Sequence, residues 1–194
     1  DDQQRAALSL LRQVNGSHAE KRGAQADVMA RLSSFELAYR MQTAAPEALD
    51  ITGETEATRR MYGVDEKDTD PFGRQCLIAR RLVERGVRFV QIFAGRGASG
   101  DGSVDDVPWD GHNNHRSCAA ATDKPAAALL ADLKARGMLQ DTLVIWGGEF
   151  GRTSDSQGSL GRDHNPHAFT IWMAGGGVKG GFHYGRTDDF GYKS

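Results

Sequence analysis

Three short runs of β-branched and aromatic residues, separated by helical patterns, constrain the fold of this chain more than any other feature. The runs occupy residues 87–93, 143–146 and 169–173. Each run is too short for a typical helix and is rich in the residues that strands prefer. Because strands that alternate with helices usually lie side by side in a parallel sheet, the pattern predicts an α/β fold with a mostly parallel sheet sandwiched by helices.

The first part of the chain is polar and carries two apolar patterns at helical spacing. These patterns are Leu8-Leu11-Val14 and Val28-Leu32-Phe35. They predict two or three helices, joined by exposed linkers, within residues 1–70. We therefore expect a helical segment, residues 1–70, that packs on an α/β core, residues 71–194, with both parts belonging to one domain.

Two further helices are predicted within the core. The first carries an apolar stripe of Leu77, Ile78, Leu82 and Val83. This stripe runs to Gly86, and a glycine is typical of the residue that follows a helix. The second is expected to begin at Thr122 or Asp123 as N-cap, with Pro125 in its first turn, and to end near Gly137.

The composition argues against several classes of protein. The chain has 24 Lys and Arg against 26 Asp and Glu, a net charge of −2, so it offers no basic field to nucleic acid or acidic membranes. No apolar run approaches the roughly 20 residues that a membrane-spanning helix needs. The two cysteines, Cys76 and Cys118, are too few for a disulfide scaffold, although they could form one bridge.

A G-x-G-x-x-G pattern at residues 95–100 directly follows the first β-rich run. A dinucleotide site needs a helix to open at the last glycine, because the helix N-terminus binds the pyrophosphate. The residues that follow are rich in Gly and Asp and do not favour a helix. The pattern therefore predicts a flexible loop.

Four of the six histidines fall in two predicted loops, residues 94–121 and 147–167. In a parallel sheet these loops would lie beyond the carboxyl ends of the strands, where such folds place their chemistry. Asp110 and His112 would point to one side of an extended segment, and His115 could join them through a turn. Imidazole and carboxylate groups are metal ligands, but a single Asp-x-His is more often part of a surface loop.

Five longer motifs are specific enough to indicate a family. They lie at residues 41–47, 76–90, 148–153, 161–164 and 174–181. They resemble the bacterial sulfatase-like family known as domain of unknown function 1501, over essentially the whole chain. The resemblance implies the alkaline phosphatase/sulfatase superfamily, whose α/β members hydrolyse phosphate or sulfate esters with one or two metals. It further implies a periplasmic or extracellular location and an internal piece, incomplete at both ends, with the nucleophile in a preceding region.

The resemblance also suggests ligands, residue by residue. The superfamily's strand-end Asp-His pair falls on Glu149-Phe150, where glutamate can bind a metal and phenylalanine cannot. The preceding Asp and His resemble Asp110 with His112 or His115, and the final ligand histidine resembles His164. The broken pair and the tight spacing of Asp110 and His112 depart from a standard two-metal site.

We therefore expect divalent metal, Zn, Mn or Ca, at the end of the sheet, with the number of ions left open. Its expected ligands are Asp110, His112 and His164, with Glu149 on the same or an adjacent ion. Three further residues are expected to orient ligand imidazoles through hydrogen bonds or to act as alternative ligands. These are His115, Asp163 and His167.

The expected function is metal-dependent hydrolysis of a small-molecule or polysaccharide sulfate or phosphate ester. Arg152 could hold an anionic oxygen of this substrate by a charge-assisted hydrogen bond, or could simply pair with Glu149. The alternative is an exported protein that binds metal or acts as a scaffold without catalysis. A metallopeptidase ranks last because the sequence lacks His-Glu-x-x-His.

Overall fold

The computed structural model describes residues 2–22, 25–94, 115–157 and 161–194. Its helices are α1 (Asp2–Arg22), α2 (Gln25–Leu49), α3 (Glu56–Met61), α4 (Asp70–Glu84) and α5 (His115–Ala135). Its strands are β1 (Leu143–Trp146), β2 (Gly151–Gln157), β3 (Gly161–Asn165) and β4 (Trp172–Gly175). The chain divides into two compact units, Asp1–Asp50 and Ile51–Ser194.

The first unit consists of α1 and α2. Together with α3, these helices confirm the prediction of two or three helices within residues 1–70. An ion pair joins the two long helices, with Nη2 of Arg12 2.6 Å from Oε2 of Glu36. Among the helices that the structure describes, none is long and apolar enough to cross a membrane.

The core of the second unit lies between α4 and α5. Its buried apolar residues are Ile51, Tyr62, Val64, Phe72, Cys76, Leu77 and Ala128. The prediction of α4 is confirmed, including its end, because Gly86 adopts a φ of 85° that side chains disfavour. The predicted start of α5 is wrong, since this helix begins at His115 and contains Pro125. Thr122 does not cap α5, because its hydroxyl donates instead to the carbonyl of Cys118 one turn earlier, at 3.0 Å.

A buried arginine joins the elements of this core. The side chain of Arg80, on α4, is only 2% exposed. Its Nη2 lies 2.8 Å from Oε2 of Glu54, its Nη1 2.7 Å from Oε2 of Glu84, and its Nε 3.0 Å from Oδ2 of Asp132. The same Asp132 oxygen accepts a hydrogen bond of 3.0 Å from the hydroxyl of Tyr62. Arg80 therefore links α4 to α5 and to the segment before α3.

Burial and the charges around Arg80 shift the pKa values of Glu54 and Tyr62 in opposite directions. Burial alone would raise the pKa of Glu54, but hydrogen bonds and charge from Arg81 and Arg80 outweigh it and hold this pKa below its usual range. Burial, reinforced by the nearby charge of Asp132, raises the pKa of Tyr62 far above its usual value. Glu54 is consequently ionised at neutral pH. Tyr62 keeps its proton, and its hydroxyl donates a hydrogen bond to Asp132.

The predicted parallel sheet is wrong. The described strands form two small antiparallel sheets, in which β1 pairs with β4 and β2 pairs with β3. A parallel pair needs a long crossover, usually a helix, whereas the described chain between β1 and β4 contains only the β2–β3 hairpin. The chain therefore returns beside β1 in the opposite direction, which places Ile145 opposite Met173.

Of the three β-rich runs, only residues 143–146 form a strand as predicted. Residues 87–93 form no strand. Ile92 packs against the core, while Phe89 and Phe93 are 80% and 72% exposed. The third run enters a strand only at its end, where Trp172 stacks on Trp146 with ring centroids 6.0 Å apart.

Replacing Arg80 with alanine should destabilise the protein severely, because three carboxylates would lose their buried cation. We expect a loss of roughly 3–5 kcal/mol in the free energy of unfolding, measured by urea denaturation. Arg60→Ala is the matched control, since its ion pair with Glu56 is 73% and 76% exposed and should contribute no more than about 1 kcal/mol. Equal losses in the two variants would show that the buried network does not stabilise the fold.

Candidate functional site

The β2–β3 hairpin places two predicted site residues next to each other. Arg152 on β2 lies directly opposite His164 on β3, and the neighbouring pair is Gly151 with Asn165. Side chains that face each other across two strands share a face of the sheet, and successive residues alternate between faces. Arg152 and His164 therefore share one face of the hairpin, and Gly151 and Asn165 share the other.

The face with Gly151 and Asn165 packs inward. Asn165 is 2% exposed, and its Nδ2 donates to the carbonyl of Tyr192 at 3.1 Å while its Oδ1 accepts from the backbone N–H of His167 at 3.0 Å. A Cβ atom at Gly151 would lie 1.8 Å from the carbonyl oxygen of Ala168, which no real structure tolerates. This close approach orients the hairpin and turns the other face toward solvent.

The last residues of the chain brace the same face. The carboxylate of Asp188 accepts backbone hydrogen bonds from Tyr192 at 2.8 Å and from Phe190 at 3.2 Å. These bonds, led by the one from Tyr192, lower the pKa of Asp188 and close a turn that presents the Tyr192 carbonyl to Asn165. Ser194 then donates its backbone N–H to the carbonyl of His167 at 3.1 Å.

The outward face carries what we call the cationic cluster: Phe150, Arg152 and His164. The ring centroids of Phe150 and His164 are 4.2 Å apart, and Cζ of Arg152 lies 5.8 Å from the centroid of Phe150. Nη1 of Arg152 also donates to the carbonyl of Arg162 at 3.3 Å. Two nitrogen-bearing side chains thus lie beside one aromatic ring, with His164 exposed and Arg152 half-buried, an arrangement that suits an anionic ligand.

The other described residues of the predicted site are more scattered. Glu149 is exposed immediately before the cluster, and Asp163 accepts a hydrogen bond of 2.8 Å from the backbone N–H of its neighbour His164. His167 follows β3 and contributes its backbone to the contacts of Asn165 and Ser194. His115 is the first residue of α5 and so belongs to a helix instead of the expected loop.

The metal prediction depends on residues beyond the described ranges. Asp110 and His112 lie outside the described residues, so their position stays a prediction. Within the described part of the chain, no group of three or more His, Cys, Asp and Glu side chains is placed to hold a metal ion. The donor types of His164 and Glu149 suit a divalent metal, but these two residues do not complete a site.

The cysteines do not form a bridge. Both Cys76 and Cys118 are free thiols. Burial raises the pKa of Cys76 to about 12, so this thiol stays protonated at neutral pH and acts as a packing residue.

Sequence patterns alone do not reveal the contributions of Phe150, Gly151 and Asn165 to this site. In sequence, Phe150 indicates only a lost metal ligand. The alternation of Phe150, Gly151 and Arg152 has the period of a strand, and this pattern could have placed Phe150 and Arg152 on one face. The need for glycine at position 151 depends on the distant Ala168 carbonyl, so no local signal reveals it.

Comparison with known proteins identifies a family. The sequence matches the family described as "Protein of unknown function (DUF1501)" over residues 1–194. The chain therefore belongs to this family, as its motifs indicated. Neither the curated proteins nor the solved structures contain a match to this chain.

Gly151→Ala should disrupt the hairpin, because the new methyl group would meet backbone atoms that cannot move aside. We expect a loss of roughly 1–3 kcal/mol in the free energy of unfolding and altered amide NMR shifts along β2 and β3. Gly148→Ala is the control, since the nearest atom to a Cβ there is 3.6 Å away, and its stability should change by less than about 0.5 kcal/mol. Unchanged hairpin shifts in Gly151→Ala would contradict the close packing.

Proposed function

We propose that this chain carries part of the substrate site of a metal-dependent hydrolase of sulfate or phosphate esters. The observation that carries the proposal is the pairing of Arg152 with His164 across the β2–β3 hairpin. Guanidinium and imidazole groups are common binding partners of oxyanions, and His is also a common metal ligand. Their shared, accessible face can receive the charged end of an ester.

Arg152 is the proposed anion-binding residue. Its guanidinium group presents several N–H donors in one plane, which match the oxygens of phosphate or sulfate. The hydrogen bond to the carbonyl of Arg162 restrains one arm of this group and thereby orients the rest. A fixed cation of this kind stabilises negative charge that increases on the ester oxygens during hydrolysis.

His164 is the proposed metal ligand of the cluster. Its imidazole supplies a nitrogen donor, and Glu149 supplies a carboxylate oxygen close by in sequence; both donor types suit Zn or Mn. Asp110 and His112 are the proposed remaining ligands, and both lie outside the described residues. When bound, such an ion supplies polarisation of the ester oxygen.

We also propose a relationship to the alkaline phosphatase/sulfatase superfamily and a periplasmic or extracellular location. Both proposals are supported by the motif resemblance, above all at residues 148–153 and 161–164. The two small antiparallel sheets are not used as support for either proposal. The proposed substrate is correspondingly a small-molecule or polysaccharide ester, while the net charge of −2 disfavours nucleic acid.

The second candidate function is binding of metal or of a partner without catalysis. Phe150 favours it, because this residue stands where the strand-end pair of the superfamily has a metal-binding histidine. A phenyl ring has no donor atom for a metal.

His164→Ala should lower metal content and ester hydrolysis together, whereas His183→Ala should change neither, since His183 is exposed on a separate segment. We expect His164→Ala to lower both metal content and the rate of ester hydrolysis by at least about tenfold. Residues that only orient a metal ligand already cost roughly tenfold or more when they are replaced, and a ligand should cost no less. Bound Zn and Mn are measured by elemental analysis, and hydrolysis is measured with p-nitrophenyl phosphate and p-nitrophenyl sulfate, with and without chelator.

Arg152→Ala separates substrate binding from metal binding in the same assays. It should reduce hydrolysis while leaving metal content unchanged, because Arg152 binds the substrate and not the metal. Bound metal without turnover of either ester would favour the non-catalytic candidate. A wild-type protein that neither binds metal nor hydrolyses either ester would contradict the hydrolase and also the metal-binding form of the second candidate.

A further inference from the structure

Phe150, directly before β2, contacts side chains of both strands of the hairpin. Its ring lies against the imidazole of His164, with centroids 4.2 Å apart and planes tilted by 36°. The same ring lies 5.8 Å from Cζ of Arg152. Phe150 therefore touches both nitrogen-bearing side chains of the cationic cluster.

The backbone explains why the three residues meet. Phe150 lies in a bend directly before β2, and its ring lies near the guanidinium of Arg152, two positions further along the chain. The strand register then places His164 directly opposite Arg152. Gly151, between them, is fixed by its contact with the Ala168 carbonyl, so Phe150 cannot easily turn to the inner face.

A phenyl ring in this position restrains the neighbouring side chains of Arg152 and His164, although it has no hydrogen-bonding, acid–base or metal-binding group. Arg and His side chains that solvent reaches ordinarily sample several rotamers. Binding an anion beside them restricts these rotamers, and the lost conformational entropy weakens binding. Contact with the face or edge of an aromatic ring favours a few of these rotamers. The ring has no hydrogen-bond donor, so its contribution is confined to positioning.

We propose that Phe150 is a positioning residue that holds the guanidinium of Arg152 beside the imidazole of His164, so that an oxyanion bound by Arg152 lies next to that imidazole. This inference rests on the proposed function, because it names the residue that preorganises that anion site. It explains a phenylalanine at this position without any need for a second metal ligand.

Binding of inorganic phosphate, measured by calorimetry at constant pH, tests this role. Phe150→Leu keeps apolar bulk but removes the aromatic ring, and it should weaken binding roughly two- to tenfold, which is the loss of one ring contact. Phe150→Tyr keeps the ring and should bind within about twofold of the wild type. If Phe150→Leu does not fold by circular dichroism, Phe150→Met provides the same comparison.

A double-mutant cycle distinguishes positioning from a general structural effect. If Phe150 acts through Arg152, adding Phe150→Leu to Arg152→Ala should weaken phosphate binding less than adding it to the wild type. Equal effects in both backgrounds, or wild-type binding by Phe150→Leu, would overturn the positioning role. If Arg152→Ala and His164→Ala both bind phosphate as the wild type does, or if the wild type does not bind it, the anion site itself is wrong and the proposed function fails with it.

Discussion

The second unit of this protein depends on one buried guanidinium group. Arg80 stands almost without solvent among Glu54, Glu84 and Asp132, and these carboxylates come from three separate segments. A buried cation is tolerated only when such partners surround it; α4 supplies Glu84 itself, so α4 must meet α5 and the segment before α3 to supply the other two. The aromatic and aliphatic core beside it then fixes Trp146, and hence β1, through the edge contact with Phe72.

The helix α4 was predictable because its signals are local. The apolar stripe of α4 and the glycine at position 86 lie within a few residues of the helix that they define. Strand pairing is not local in this way. Whether residues 143–146 pair in parallel depends on the path of the chain after them. A parallel partner usually requires an intervening helix, but the described chain there forms the β2–β3 hairpin and returns antiparallel. The apolar run at residues 87–93 predicts an extended chain but does not specify a partner strand.

The site was predicted in part. The sequence directed attention to Arg152 and His164 through their motifs and expected loops, whereas the structure puts them on paired strands, where their proximity follows from register. The buried face of the hairpin is held by a hydrogen bond from Asn165 to the carbonyl of Tyr192, 27 positions away, and no local pattern reveals this contact. Asp110 and His112 remain predictions from sequence. The contacts of Phe150 with His164 and Arg152 are visible only in three dimensions, because in sequence Phe150 resembles only the loss of a ligand.

The central claim is that the outward face of the β2–β3 hairpin binds an oxyanion. The most direct measurement is an NMR titration of the protein with inorganic phosphate, following the ring signals of the histidines and Phe150 and the Nε–H of Arg152. We expect the signals of His164, Phe150 and Arg152 to shift together with one dissociation constant while those of His183 stay in place. Shifts of His183 equal to those of His164, or no shift of the three residues at saturating phosphate, would contradict the claim.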